Sequence, residues 1–123
     1  MEILAVGVGG FVGAVARYGV SRLLSFAPHT AWSTLAVNVV GAFLLGLLMG
    51  TSGRWGSLSD PVRSFLIVGL LGSFTTFSTF SWEAIELFRS GQIRAGSLYI
   101  LISLLLGLAA GASGYWLTRR VAA

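Results

Sequence analysis

"GSFTTFSTF", residues 72–80, places five hydroxyls and three phenyl rings in nine residues, with no charge, inside an otherwise apolar stretch. That stretch runs from about Pro61 to Phe88, longer than the roughly 20 apolar residues that cross a bilayer as a helix. A membrane helix with glycine and β-hydroxyl residues at its centre has two readings. It is continuous, each hydroxyl bonding back to a carbonyl of the preceding turn. Or it opens, and these residue types re-satisfy the backbone groups set free. Opened helices at mid-membrane are where transporters and channels hold ions, because unwound carbonyls can face a cation.

Three further apolar runs flank this one, at about 3–24, 32–50 and 96–117. Each is long enough to span, and the connectors "SFAPHT", "TSGRWGSLSD" and "RSGQIRAG" are short and polar. Asp60 before Pro61 reads as an N-cap with proline at the first helical position. The 123 residues suffice for one domain. Only 10% are charged, against roughly 25% in soluble domains, and mean hydropathy is +0.87. The expected class is an all-α integral membrane protein of four transmembrane helices. No signal-peptide pattern is visible, so the first run is expected to be retained.

With no cysteine, disulfides and thiolate metal sites are excluded. The lone His29, beside Pro28 in a connector, reads as a solvated loop residue. All eight positive charges are arginines, none clustered beyond Arg119–Arg120. Scattered arginines between apolar runs fit membrane loops, not a nucleic-acid interface.

Four spans put both chain ends and the second connector on one side, with Arg54, Arg63, Arg119 and Arg120. The other side carries Arg17, Arg22, Arg89 and Arg94. Orientation normally follows an excess of Lys and Arg on the cytoplasmic side. Four against four gives no such instruction. Either the tie is accidental or copies insert both ways and pair antiparallel about an axis in the membrane plane. Gly9/Gly13, Gly46/Gly50 and Gly107/Gly111 have the small-xxx-small spacing that brings membrane helices close. Four short helices enclose little volume, so a solute pathway calls for a second copy.

Candidate side chains follow from residue type. Phe74, Phe77 and Phe80 recur every third residue. They read as packing or lipid-facing rings, or as electropositive ring edges that touch an anion without trapping it. Asn38 is a primary amide in an apolar helix, with two N–H donors for an interhelical bond or for a ligand. Thr34 lies one turn before it. Tyr99 and Ser103 make a second hydroxyl stripe, which Gly107 continues without a side chain. Glu83 and Glu86 fall late in the third span and Glu2 is terminal, so no carboxylate is expected at mid-span. That counts against proton relays and organic-cation sites. No nucleophile–base pair, metal-ligand cluster or G-x-x-x-x-G-K-[ST] loop is present, so the chain is not expected to be an enzyme or an ATP-driven pump.

"GGFVGAVARY" (9–18), "TLAVNVVGAFLLG" (34–46) and "GLLGSFTTFSTFSWEA" (69–84) together resemble the Fluc, or CrcB, fluoride channel family. The resemblance covers all four spans in order, and the third motif is its most specific part. It implies a third helix broken near its middle, and an antiparallel, dual-topology homodimer in the cell membrane. The implied activity is passive, fluoride-selective export from the cytoplasm, where fluoride that entered as HF is trapped as the anion. By the same resemblance Phe77 and Phe80 line the pathway edge-on, and Asn38 is the donor facing them. Thr34, Tyr99 and Ser103 form a polar track, and Thr76 and Ser78 stand beside the break. Arg17 is a vestibule or interface residue. The backbone carbonyls of Gly72 and Thr75 from both chains hold a structural Na+ on the two-fold axis. Phe74 stands where an aliphatic residue is expected and is read as packing.

Two other functions suit a small four-span chain. A small multidrug-type antiporter of dual topology needs a carboxylate in the middle of span one, where Glu2 does not reach. A non-conducting assembly subunit predicts no flux from the chain alone.

Overall fold

The computed structural model describes residues 1–24, 31–51 and 58–122; His29, Arg54 and most of the first two connectors lie outside them. The described residues are helical, with no strand. We number the helices α1 (Glu2–Leu23), α2 (Ala31–Gly50), α3 (60–74), α4 (Phe77–Arg89) and α5 (Ile93–Ala122). By length and hydropathy, four stretches can cross a membrane: Glu2–Leu23, Ala31–Gly50, Asp60–Arg89 and Ile93–Arg120. This is a multi-pass membrane protein.

Helix α3 starts one residue before the sequence-based cap. Ser59 is the N-cap, Asp60 is already helical, and Pro61 sits in the first turn, where its missing N–H costs nothing. From Ser64 to Leu71 the helix is wound as a π-helix, a form seen mostly as single-turn bulges. The wider turns coincide with a close neighbour. The backbone of α1 lies directly against this stretch. A Cβ on Gly13 would strike the Leu70 carbonyl, and one on Gly69 would come within 2.7 Å of the Val6 carbonyl. Two backbones meet there, with glycine on each.

The helical path then stops for two residues. Thr75 (φ −81°, ψ 158°) and Thr76 (φ −150°, ψ 116°) are extended. Thr75 closes the end of α3: its N–H and its hydroxyl both donate to the Leu71 carbonyl, at 3.1 and 3.0 Å. Thr76 starts α4 as its N-cap, its Oγ1 accepting from the Thr79 N–H at 3.2 Å, as a β-hydroxyl does at a helix start. Helix α4 ends in a Schellman turn. The Gln92 N–H reaches the Leu87 carbonyl (2.9 Å), the Gly91 N–H reaches that of Phe88 (3.1 Å), and Gly91 takes φ +77°.

Helix α5 runs along α2. The Thr118 hydroxyl bonds the Leu47 carbonyl at 3.1 Å, beside Gly46, where a Cβ would strike the Gly111 carbonyl. Gly107, by contrast, faces open space. Of the large apolar side chains among the described residues, only Val37 and Leu71 are buried. Most apolar surface of a single copy therefore faces outward, toward lipid or another chain.

Candidate functional site

Asn38 enters from α2 and closes on the gap between α3 and α4. Its Oδ1 accepts the Thr76 N–H at 2.8 Å, and its Nδ2 donates to the Thr76 carbonyl at 3.0 Å. The amide thus replaces, for one residue, the pairing a continuous helix would have supplied. Thr76 is buried. Its hydroxyl also donates to Thr79 Oγ1 (3.0 Å) and lies 3.4 Å from Ser78 Oγ.

The extended pair divides the period-three row of rings. Phe74 stays on the α3 side, against Gly41. Phe77 and Phe80 share α4, their centroids 5.8 Å apart and planes tilted by 44°. Phe77 is 78% exposed, whereas Phe80 is half-buried and leans on the Tyr99 ring at 5.3 Å.

Thr34 and Tyr99 meet on a residue the sequence-based site leaves out. Glu83 is buried, and its two carboxylate oxygens accept separate hydroxyls: Thr34 Oγ1 at 2.9 Å and Tyr99 OH at 2.7 Å. Glu83 keeps its expected place late in the third span, but it is buried inside the bundle, which the sequence did not show. Glu83 comes late in its span, yet it lies three residues after Phe80, on the same face of α4, and α2 and α5 close over it. The signal was that spacing, together with a carboxylate inside the apolar run. One turn along α5 from Tyr99, the Ser103 hydroxyl oxygen is buried with no hydrogen-bond partner among the described residues. An unmet buried hydroxyl costs about 1–3 kcal/mol.

Two open cavities flank the break. One, of about 280 Å³, is lined by Arg17, Tyr18, Ser21, Thr34, Thr76 and Thr79 among others. The second, about 360 Å³, has Asn38, Gly41, Leu71, Gly72, Thr75, Thr76 and Phe77 in its walls. Thr76 belongs to both, so the break is the partition between them. Among the described residues no group of His, Cys, Asp and Glu could hold a metal; backbone oxygens are the alternative donors. In an uninterrupted helix the Gly72 carbonyl would receive the Thr76 N–H, and the Thr75 carbonyl that of Thr79. Both N–H groups are committed elsewhere, to Asn38 Oδ1 and to Thr76 Oγ1.

The model of the family described as CrcB-like protein, Camphor Resistance (CrcB), matches residues 4–115. The chain belongs to the CrcB family. CrcB relatives named "Fluoride-specific ion channel FluC" match it nearly end to end. That of Agrobacterium fabrum is 43% identical over 123 residues, 98% of each chain. That of Geobacter sulfurreducens is 45% identical, covering 97% of this chain and 98% of its own. That of Hydrogenovibrio crunogenus is 44% identical, covering 94% and 89%. For this CrcB chain the geometry brings Thr34, Asn38, Thr76, Ser78, Phe77, Phe80 and Tyr99 around one discontinuity. Arg17 lines the cavity beside it, and Ser103 stands one turn along α5.

Proposed function

We propose that this chain conducts fluoride passively out of the cytoplasm across the cell membrane, as an antiparallel pair of copies. The observation that carries the reading is the opened backbone at Thr75–Thr76, inside a membrane-crossing segment, with ring edges and hydroxyls around it. The names of the relatives point to the ion.

The chemistry of these groups suits a small, strongly hydrated halide. Phe77 and Phe80 offer electropositive edges, Asn38 retains a second Nδ2 proton, and the Ser103 hydroxyl has no partner to give up. These groups can replace part of a hydration shell without a fixed positive charge that would hold the anion, as conduction requires. Thr34 and Tyr99 are in a different state. Their protons point at Glu83, so a fluoride drawing on them exchanges places with the carboxylate. Arg17, in the outer cavity, raises the local concentration of anions.

The Gly72 and Thr75 carbonyls fit a hard cation, which takes oxygen ligands. Gly72 is exposed on the single chain, so a second copy related by a two-fold axis would supply the same pair. Na+ held there supplies a structural tie between copies. The four-to-four arginine tally supports insertion in both orientations. Adding two arginines to one side and mapping topology tests that part; a uniform orientation before the addition contradicts it.

The conduction reading is tested by fluoride efflux from liposomes containing only the purified chain, with internal and external pH clamped equal and chloride as comparison. Fluoride should leave down its gradient, much faster than chloride. Flux that needs a proton gradient would shift the reading to a proton-coupled carrier working through Glu83. No flux would leave a non-conducting subunit.

A further inference from the structure

We infer that Asn38 is a positioning residue for the cation site as well as a member of the fluoride pathway. It keeps the Gly72 carbonyl available by taking away that carbonyl's natural partner. The inference rests on the proposed reading of the break and adds a link between its two ions.

The argument is one of competition for N–H groups. A peptide carbonyl inside a membrane-crossing segment is costly if it has no donor, so an opened helix there tends to close. Closing α3 onto α4 would return the Thr76 N–H to Gly72 and the Thr79 N–H to Thr75. Two side-chain oxygens prevent this. Asn38 Oδ1 holds the Thr76 N–H at 2.8 Å, and Thr76 Oγ1 holds the Thr79 N–H at 3.2 Å. Meanwhile Asn38 Nδ2 satisfies the Thr76 carbonyl at 3.0 Å, so opening the chain leaves that residue with nothing unmet. The two carbonyls whose α-helical donors are taken are the two proposed to face the cation. They also border the 360 Å³ cavity that Asn38 and Phe77 line. Because one amide touches both functions, a change at Asn38 moves the sodium response even in the absence of fluoride. A residue that only donated to fluoride would not.

The test uses the full chain in lipid nanodiscs without fluoride. The midpoint of thermal unfolding is followed against sodium chloride, with N-methylglucamine chloride holding ionic strength; ligand linkage converts the rise into an apparent affinity. Wild type should be stabilised by sodium. Asn38→Leu removes both bonds at similar volume and should weaken the apparent affinity about tenfold or more. Asn38→Asp restores the acceptor for the Thr76 N–H and should return the response to within about threefold of wild type or better. Thr76→Val removes the second oxygen and should weaken sodium as Asn38→Leu does. It also keeps the inference testable if the leucine variant misfolds by circular dichroism. Wild-type sodium affinity in a folded Asn38→Leu or Thr76→Val chain overturns the inference, as does an Asn38→Asp chain no better than the leucine variant. So does a wild type indifferent to sodium. Fluoride efflux from the same preparation reports separately on the channel reading.

Discussion

Asn38 pairs with both backbone polar groups of Thr76, across 38 residues of sequence: the Thr76 N–H donates to Oδ1 at 2.8 Å and Nδ2 donates to the Thr76 carbonyl at 3.0 Å. Two hydrogen bonds from one side-chain amide to one residue's backbone, both part-buried, make a directional restraint. It explains how a membrane segment holds two extended residues at its centre without leaving the Thr76 backbone unsatisfied.

The ring edge of Phe80 is the first target. Phe80→Ile keeps an apolar side chain against Tyr99 but removes the electropositive rim. Edge-on ring contacts are worth about 0.5–1.5 kcal/mol between aromatics; a contact of that size in the pathway corresponds to a fall in fluoride flux of about two- to tenfold while the chain stays folded. Efflux from liposomes, with size-exclusion chromatography as the control, checks this. Undiminished flux removes the ring from the pathway.

Ser103 separates function from stability. Its hydroxyl is buried with no partner among the described residues, so Ser103→Ala should leave the unfolding free energy unchanged or raise it, by up to about 1–3 kcal/mol of relieved desolvation. The same change should slow fluoride. A marked loss of stability would mean the hydroxyl serves the fold.

Glu83 and its two hydroxyl donors should behave as one unit. Thr34→Val and Tyr99→Phe each remove one bond to the carboxylate. Combined in a double-mutant cycle on unfolding free energy, they should depart from additivity by about 0.5 kcal/mol or more. Strict additivity would mean that the two hydroxyls are not coupled through Glu83.

Two glycines make a matched pair. Gly13→Ala drives a methyl into the Leu70 carbonyl of the π-helical stretch and should destabilise the chain by about 1–3 kcal/mol. Gly107→Ala meets nothing within 4 Å in the single chain and should leave its thermal unfolding in place. Equal effects would contradict the backbone-on-backbone seam between α1 and α3.

The four spans were legible because apolar runs of membrane length, separated by polar connectors, leave few alternatives. Residues 72–80 stood out for a similar reason: glycine and hydroxyls are out of place in a plain membrane rod. What the sequence did not carry was pairing. Nothing local says that Asn38 turns its amide on Thr76 rather than toward a ring, or that Thr34 and Tyr99 spend their protons on Glu83. Those partners are 38, 49 and 16 residues apart, and a single sequence holds no distance between helices. The π-helical turns of Ser64–Leu71 were invisible for a different reason. They accompany a close approach to α1, a contact between helices that no local pattern displays.

Current across a planar bilayer containing only this chain, with a fluoride gradient and equal pH on both sides, tests the central claim most directly. Passive fluoride conduction predicts a reversal potential at the fluoride equilibrium value, unmoved when chloride or pH is changed on one side. A reversal that follows chloride or protons, or no current from a folded, paired protein, would contradict it.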